Sequence, residues 1–215
     1  MTHPDARTWF WYGCLFELGI GLTGLGITAA RGRLSTLDFT VSYRSILVGV
    51  AATGPLLAAM VWTMRTRCGM VREIQEVIVR RALPVFRKWS TVQLAVVSAL
   101  AGVGEEMLFR FAVQGWLEGR TGPAAAILIA GLIFGLCHFI NLPYALFTAM
   151  AGFYLGMVFY LTDNLIPVAV AHAVYDFVAL VYLVRTHQQQ PDSRDVIDAG
   201  TGGTKIGSSR NESEA

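Results

Sequence analysis

The sequence is poor in charged residues. Asp, Glu, Lys and Arg make up only 15% of its 215 residues, and 54% are hydrophobic. Soluble domains carry about 25% charged residues. The net charge is only +2, and no basic run is interleaved with aromatic residues, so we expect no nucleic-acid partner. Together with a mean hydropathy of +0.51, the shortage of charge indicates a membrane protein.

Cysteine is also scarce, and its pattern excludes a disulfide framework. The chain has three cysteines, which is an odd number, and they form no CxxC metal motif. All of them lie within or beside apolar segments, so we expect buried, free thiols at Cys14, Cys68 and Cys137.

Six apolar segments are long enough to cross a bilayer, which takes about 20 residues. They cover residues 9–30, 44–64, 91–113, 124–140, 143–161 and 165–184. Backbone groups must be hydrogen-bonded internally in lipid, and alternation with a period of two is absent, so we predict helices. Arg31 and Arg33 follow the first segment instead of a small-residue cleavage site, which indicates a retained span. The predicted fold class is therefore all-α, a polytopic membrane helix bundle.

Two polar segments divide the chain into four parts. Within residues 65–90, the stretch from Met70 to Arg81 has the spacing of an amphipathic helix on the membrane surface, which we expect Pro84 to end. A solvated linker helix is the alternative. Gly, Ser, Asp and Arg dominate residues 185–215, which predicts a disordered tail. The predicted parts are two spans in 1–64, the amphipathic segment in 65–90, four spans in 91–184 and the tail in 185–215.

Basic residues predict the orientation. Residues 65–90 contain the densest basic cluster, which the positive-inside rule places in the cytoplasm. Both termini are then cytoplasmic as well. Arg31, Arg33 and Arg44 disagree with this topology, because they would lie on the opposite side of the membrane.

Ionisable residues interrupt the last four spans, where a charged side chain near a helix centre costs roughly 2.5–3.5 kcal/mol. Intramembrane groups of this kind indicate a functional site by default. They are Glu105, Glu106 and Arg110 in the third span, His138 in the fourth, and His172 and Asp176 in the sixth.

Helical spacing suggests different roles for these residues. Glu106 and Arg110 are four residues apart, share a helix face and are expected to pair. Glu105 points about 100° away from Glu106, which makes it the less neutralised carboxylate and the candidate general base. His172 and Asp176 also share a face. Asp176 could hold His172 in one tautomer, or both could face a substrate oxygen.

Three spaced motifs resemble those of the CPBP intramembrane protease family, which includes the CAAX prenyl endopeptidases and the bacterial Abi proteins. The resemblance covers about residues 91–184, and any one of the motifs alone would be a weak signal. In chain order they are Glu105-Glu106-x-x-x-Arg110, Phe134-x-x-x-His138 and His172-x-x-x-Asp176.

The resemblance implies hydrolysis of a peptide bond within or beside the membrane. Glu105 and His138 would activate a water, and His172 and Asp176 would stabilise the developing oxyanion. Asp176 stands where the prenyl-protease branch usually has Asn. An ionised Asp cannot donate a hydrogen bond to an oxyanion, so Asp176 would be protonated or would orient His172.

The resemblance leaves the use of a metal open. We favour a mechanism without a cofactor; the alternative is a zinc ion held by His138, His172 and Glu105. The His-Glu-x-x-His motif of other zinc proteases is absent.

We expect a membrane-associated peptide or protein substrate, with a prenylated CAAX peptide as one candidate, and a location in a bacterial plasma membrane. Two other functions compete with proteolysis. One is a non-catalytic bacteriocin-immunity or membrane scaffold protein. The other is an ion-coupled transporter with Glu105, Arg110 and His172 as a relay.

Overall fold

A computed structural model of the chain describes residues 5–33 and 38–187, and this part is helical throughout, without strands. The predicted all-α class is confirmed. Five helices are long and apolar enough to cross a membrane, and a sixth apolar helix is shorter, as expected for an integral membrane protein. Residues 188–215, most of the predicted disordered tail, lie outside the described residues.

The helices follow one another with short connections. In chain order they are α1 (Ala6–Ala30), α2 (Tyr43–Arg65), α3 (Gly69–Val77), a π-helical segment π1 (Ile78–Ala82), α4 (Leu83–Phe86), α5 (Thr91–Glu106), a second π-helical segment π2 (Met107–Gln114), α6 (Gly115–Thr121), α7 (Pro123–Cys137), α8 (Leu142–Thr162) and α9 (Leu165–His187).

The third span is longer than predicted. A capping box formed by Ser90 and Gln93 starts α5, and α5, π2 and α6 form one continuous helical rod that ends at Thr121 instead of residue 113. Gly122 ends the rod at φ 79°, a conformation that glycine adopts without a steric penalty. Pro123, at the first position of α7, then starts the next helix. Hydropathy alone misses the last turns because Glu118 and Arg120 lower it.

The fourth span is shorter than predicted. α7 ends at Cys137, so His138 follows the helix as its C-terminal cap instead of lying within a span that reaches residue 140. Asn141 starts α8 by accepting a hydrogen bond from the Tyr144 backbone N–H through its side-chain oxygen, at 2.9 Å. His138 therefore lies on a short connection between two helices.

The amphipathic segment does not end at Pro84. Helical structure continues from α3 through π1 into α4, and Pro84 lies in the first turn of α4. Pro84 has no N–H to donate, so one backbone hydrogen bond is absent where π1 meets α4, and the helix nevertheless continues past it. Val71 and Ile74 are buried, and Gln75 donates to the Thr63 carbonyl of α2 at 2.6 Å.

The cysteine prediction holds for one residue of three. All three thiols are free, but only Cys14 is buried, whereas Cys68 and Cys137 are exposed. The reason is their position: Cys68 is the residue before α3, and Cys137 is the last residue of α7. Helix ends have fewer neighbours than the middle of a bundle.

Close helix contacts bring α1 and α9 against α5. A Cβ atom at Gly104 would lie 2.5 Å from the Glu17 carbonyl oxygen, and one at Gly102 would lie 2.7 Å from the Ala169 carbonyl oxygen. Small residues allow backbones to approach in this way in membrane bundles. The approach places α1 and α9 beside the part of α5 that carries the two glutamates.

Candidate active site

Glu106 is the centre of a fully buried ionic network. Its Oε2 accepts a hydrogen bond from Arg110 Nε at 2.6 Å, and its Oε1 accepts one from His172 Nδ1 at 2.7 Å. The predicted pairing with Arg110 is therefore present, whereas the bond to His172 was not predicted. Since both carboxylate oxygens are engaged, Glu106 orients its neighbours.

π2 places Arg110 in this network. Arg110 lies in the widened turns of π2, directly after the two glutamates at the end of α5, and its side chain is fully buried. π-helical turns occur frequently at functional sites. Sequence spacing predicted the pair correctly, but it carries no signal for this local change of helix type.

Glu105 has a different environment from its neighbour. Its carboxylate is buried, and Oε2 lies 3.6 Å from His138 Nε2, beyond hydrogen-bond distance. Among the described residues this oxygen has no hydrogen-bond partner. The predicted base therefore faces the first histidine without a direct hydrogen bond, and a water that contacts both groups would lie beside this pair instead of between the two atoms.

Phe134 connects the two histidines. Its backbone carbonyl accepts a hydrogen bond from His138 Nδ1 at 2.8 Å, which directs Nε2 of that ring towards Glu105. The Phe134 ring lies 4.4 Å from the His138 ring and 6.0 Å from the His172 ring, centroid to centroid. The Phe134-x-x-x-His138 motif thus serves both ring packing and the tautomer of His138.

Asp176 lies beside the second histidine. Its Oδ2 is 3.5 Å from His172 Nε2, while Glu106 holds the other ring nitrogen. The tautomer-fixing role that we considered for Asp176 is therefore filled by Glu106. Asp176 is left next to the nitrogen that faces the cavity.

One cavity of about 280 Å³ joins four of the six predicted site residues, Glu105, His138, His172 and Asp176. Glu106 and Arg110 do not line it. Apolar side chains cover much of its wall, and it extends to Ile78, Ala82 and Phe86 of the amphipathic segment. The structure thus separates the predicted residues into a cavity set and a buried supporting pair.

Glu17 also lines this cavity, and sequence reasoning missed it. It lies on α1, in the part of the chain to which we assigned no chemistry. Its Oε2 is buried and has no hydrogen-bond partner within the described part of the chain. The sequence could have indicated this residue, because Glu17 is a lone carboxylate in an otherwise apolar span, and such residues are candidates for a functional site.

The cavity also contains hydroxyl groups that the sequence did not single out. Ser98, Tyr144 and Tyr175 line it. Ser98 is 1% exposed, and no hydrogen-bond partner of its Oγ occurs among the described residues. These groups supply uncharged hydrogen bonds beside the carboxylates.

The three residues considered as zinc ligands do not converge into a metal site. Within residues 5–33 and 38–187, no group of three His, Cys, Asp or Glu side chains has a geometry that could hold a metal ion. Glu105 and His138 face each other, and the Nδ1 atom of each histidine is engaged with a protein acceptor, so only the Nε2 atoms would be left to bind a metal. The use of a metal stays a prediction that these distances do not test.

These features define a class of protein: a polytopic helical membrane protein with a glutamate–histidine site in a cavity between its spans. Residues 87–178 match the family model described as Type II CAAX prenyl endopeptidase Rce1-like. The predicted resemblance to CPBP intramembrane proteases is thereby confirmed for this part of the chain. Searches of curated proteins and of solved structures found no significant match. Intramembrane endopeptidase activity is the function that this family supports, and Glu17 lies outside the matched residues.

Proposed function

We propose that the chain is an intramembrane endopeptidase in which Glu105 and His138 activate a water molecule. The observation that carries the proposal is the approach of Glu105 Oε2 to His138 Nε2, 3.6 Å apart in one cavity. A water beside this pair, on the cavity side, would donate one proton to each group. Removal of one of these protons by Glu105 makes the water oxygen a nucleophile.

His172 and Asp176 would stabilise the oxyanion. Nδ1 of His172 donates to Glu106, so donation from Nε2 requires a proton on both ring nitrogens. The carboxylates on either side favour that charged ring, since Asp176 lies 3.5 Å from Nε2. An imidazolium aimed at the carbonyl oxygen would stabilise the negative charge that develops there.

Glu105 can carry the proton through both steps of the proposed reaction. The water oxygen forms a bond to the carbonyl carbon while Glu105 takes a proton. Collapse of the tetrahedral intermediate then breaks the C–N bond, and Glu105 returns the proton to the leaving amine. Glu106 and Arg110 take no part in these transfers, because their charges already neutralise each other. Their task is to hold His172 in place.

The substrate we propose is a membrane-associated peptide, with a prenylated CAAX peptide as the first candidate. The apolar walls support this class, because Phe86, Phe147 and Leu180 line the same cavity as the ionisable groups. An isoprenoid chain and a peptide bond require that combination of apolar and polar surface.

A reconstituted cleavage assay tests the proposal with matched prenylated and unprenylated peptides. Glu105→Gln and His138→Ala should each lower kcat by at least about a thousandfold, because water activation is lost. Glu73→Gln, on the exposed face of α3, is the matched control and should retain full activity. Full activity of the Glu105→Gln variant would refute the proposal. Loss of activity on treatment with a chelator, with recovery on adding Zn²⁺, would favour the metal alternative.

A further inference from the structure

Glu17 lines the same cavity as Glu105 and His138, and the proposed mechanism gives it no task. It lies outside residues 87–178, so the match to the family model does not account for it. α1 runs from Ala6 to Ala30, which puts Glu17 about 17 Å from its start at 1.5 Å per residue. A glutamate side chain cannot reach the membrane surface across that distance. A carboxyl group at this depth indicates a function.

Close packing of α1 on α5 holds Glu17 at the level of the proposed base. The Glu17 carbonyl oxygen lies against Gly104, where a Cβ atom would be 2.5 Å away, and Gly104 directly precedes Glu105. Because this contact joins two backbones, rotation of a side chain cannot change it. The Glu17 carboxyl group is also close enough to Asp176 and His172 for electrostatic interaction. Glu17 therefore lies beside the groups that would act on the peptide bond.

Two polar groups of this cavity have unused hydrogen-bonding capacity. Oε2 of Glu17 and Oγ of Ser98 are buried, and neither has a hydrogen-bond partner among the described residues. They belong to different helices, α1 and α5, and both residues line the cavity. Buried polar groups in native proteins nearly always have a partner. Water can serve while the cavity holds no peptide, and a bound peptide then has to replace those hydrogen bonds.

A peptide in this cavity needs acceptors for its own N–H groups. A backbone N–H that leaves water without a hydrogen bond costs free energy, and apolar walls offer it no acceptor. In the proposed mechanism the water occupies Glu105 and His138, and the oxyanion faces His172 and Asp176. Among the described residues, the other polar side chains of the lining are hydroxyls and Glu17. A carboxylate is the stronger acceptor of the two kinds.

We propose that Glu17 accepts a hydrogen bond from a backbone N–H of the substrate peptide next to the scissile bond, a contact that rests on the proposed function. An ionised carboxylate accepts through both oxygens, and a protonated carboxyl group still accepts through its carbonyl oxygen. The contact therefore serves in either charge state. Every peptide has backbone N–H groups, so it also suits substrates with aliphatic side chains. A basic side chain of the substrate is the alternative donor, and it would require the negative charge.

Amide-to-ester substitution in the substrate tests the contact in the reconstituted cleavage assay. Each prenylated peptide of the series carries one ester away from the scissile bond, which removes one N–H and keeps the shape of the chain. Glu17→Leu should lower kcat/KM for the all-amide peptide by at least about tenfold, mostly through KM, because the acceptor is lost. Glu17→Gln keeps a carbonyl oxygen and should stay within about threefold. Glu73→Leu, on the exposed face of α3, is the matched control and should cleave like the unchanged chain.

One ester position should identify the N–H that Glu17 binds. There the ester should lower kcat/KM of the unchanged chain by at least about tenfold, but that of Glu17→Leu by less than about threefold, since both changes remove the same bond. Equal ester effects in both chains at every position, or full activity of Glu17→Leu on the all-amide peptide, would overturn the proposal. A loss in Glu17→Gln as large as in Glu17→Leu would also overturn it and would indicate a charged donor on the substrate. Should Glu17→Leu not fold, Glu17→Ala removes the same carboxyl group and takes its place.

Peptide binding to an inactive chain separates this contact from proteolysis. Fluorescence anisotropy measures the binding of a labelled all-amide peptide to the Glu105→Gln variant in detergent. Addition of Glu17→Leu to that variant should weaken binding by at least about tenfold. Such a loss supports the contact even if the unchanged chain cleaves no peptide, in which case only the proposed function fails. Cleavage that requires Glu105 but is the same with and without the Glu17 carboxyl group would overturn the proposed contact and leave the proposed function intact.

Discussion

Two neighbouring glutamates differ in their partners, and we expect this difference to determine their chemistry. Glu106 binds both Arg110 and His172, whereas Glu105 faces His138 across 3.6 Å. A carboxylate held by two donors is poorly placed to accept a proton from water. The residue with an available oxygen is therefore the one that we propose as the base.

The network around Glu106 should matter for stability. Glu106→Gln removes the negative charge next to Arg110 and leaves a buried cation unpaired, which should cost about 3–5 kcal/mol of unfolding free energy. Glu17→Gln is the matched comparison, since Glu17 Oε2 already has no hydrogen-bond partner among the described residues. That variant should be as stable as the unchanged chain or more stable. Thermal unfolding in detergent measures the stability of both variants. If Glu106→Gln and Glu17→Gln lose the same stability, the network around Glu106 does not stabilise the fold.

Asp176 allows a test of oxyanion stabilisation. An asparagine amide can donate directly to an oxyanion, so Asp176→Asn should keep kcat within about tenfold of the unchanged chain. Asp176→Leu removes the polar group next to His172 Nε2 and should lower kcat by about 10²–10³. Peptide cleavage rates of the two variants are compared with that of the unchanged chain. If Asp176→Asn is as slow as Asp176→Leu, the reaction requires the carboxylate itself at this position.

At the scale of helices, the contact of α1 with α5 supports the site. α1 carries Glu17 into the cavity, and the contact is possible because Gly104 has no side chain. The third span changes to π-helical turns directly after the two glutamates, so the same rod presents one of them to the cavity and pairs the other with Arg110. The site therefore depends on helix packing as much as on its own residues.

Gly104→Ala tests that contact. The new Cβ would lie 2.5 Å from the Glu17 carbonyl oxygen, a backbone atom that cannot move away without shifting α1. We expect a loss of about 1–3 kcal/mol in stability, together with lower activity. Gly26→Ala on α1 is the matched control, because nothing lies within 4 Å of its Cβ position. Thermal unfolding of Gly104→Ala identical to that of the control would contradict the packing role.

At the scale of the whole molecule, the cavity that contains Glu105 and His138 lies towards the end of the bundle where the amphipathic segment packs. This cavity extends to Ile78, Ala82 and Phe86 of the amphipathic segment. The buried network of Arg110 and Glu106 contacts this cavity through His172, which lines it. The proposed active site therefore faces the predicted cytoplasmic side.

Cys68 offers a test of this orientation. It is exposed immediately before α3, so a membrane-impermeant maleimide should label it only from the cytoplasmic side. A variant with Cys14 and Cys137 replaced by alanine makes it the only thiol. Tyr43→Cys in a chain without the natural cysteines marks the opposite end of the spans, where Tyr43 is 80% exposed. Labelling of both positions from the same side would reverse or refute the predicted topology.

The sequence by itself determined the features that depend on neighbours along the chain. Five of the six spans are found by length and hydropathy in the structure, and the sixth is a shorter apolar helix, because helices in lipid satisfy their own backbone. The pair Glu106–Arg110 follows from a spacing of four residues. The motifs also pointed to the family that matches residues 87–178.

Only the tertiary structure decided which faces of the helices meet. The bond from Glu106 to His172 joins residues on α5 and α9, and Glu17 enters the cavity only because α1 packs against Gly104. Helical spacing determines which residues share a face, but it does not determine which other helix that face touches. For the same physical reason, the stacking of Arg31 on Trp116 could not be predicted from the sequence, since it joins the end of α1 to α6.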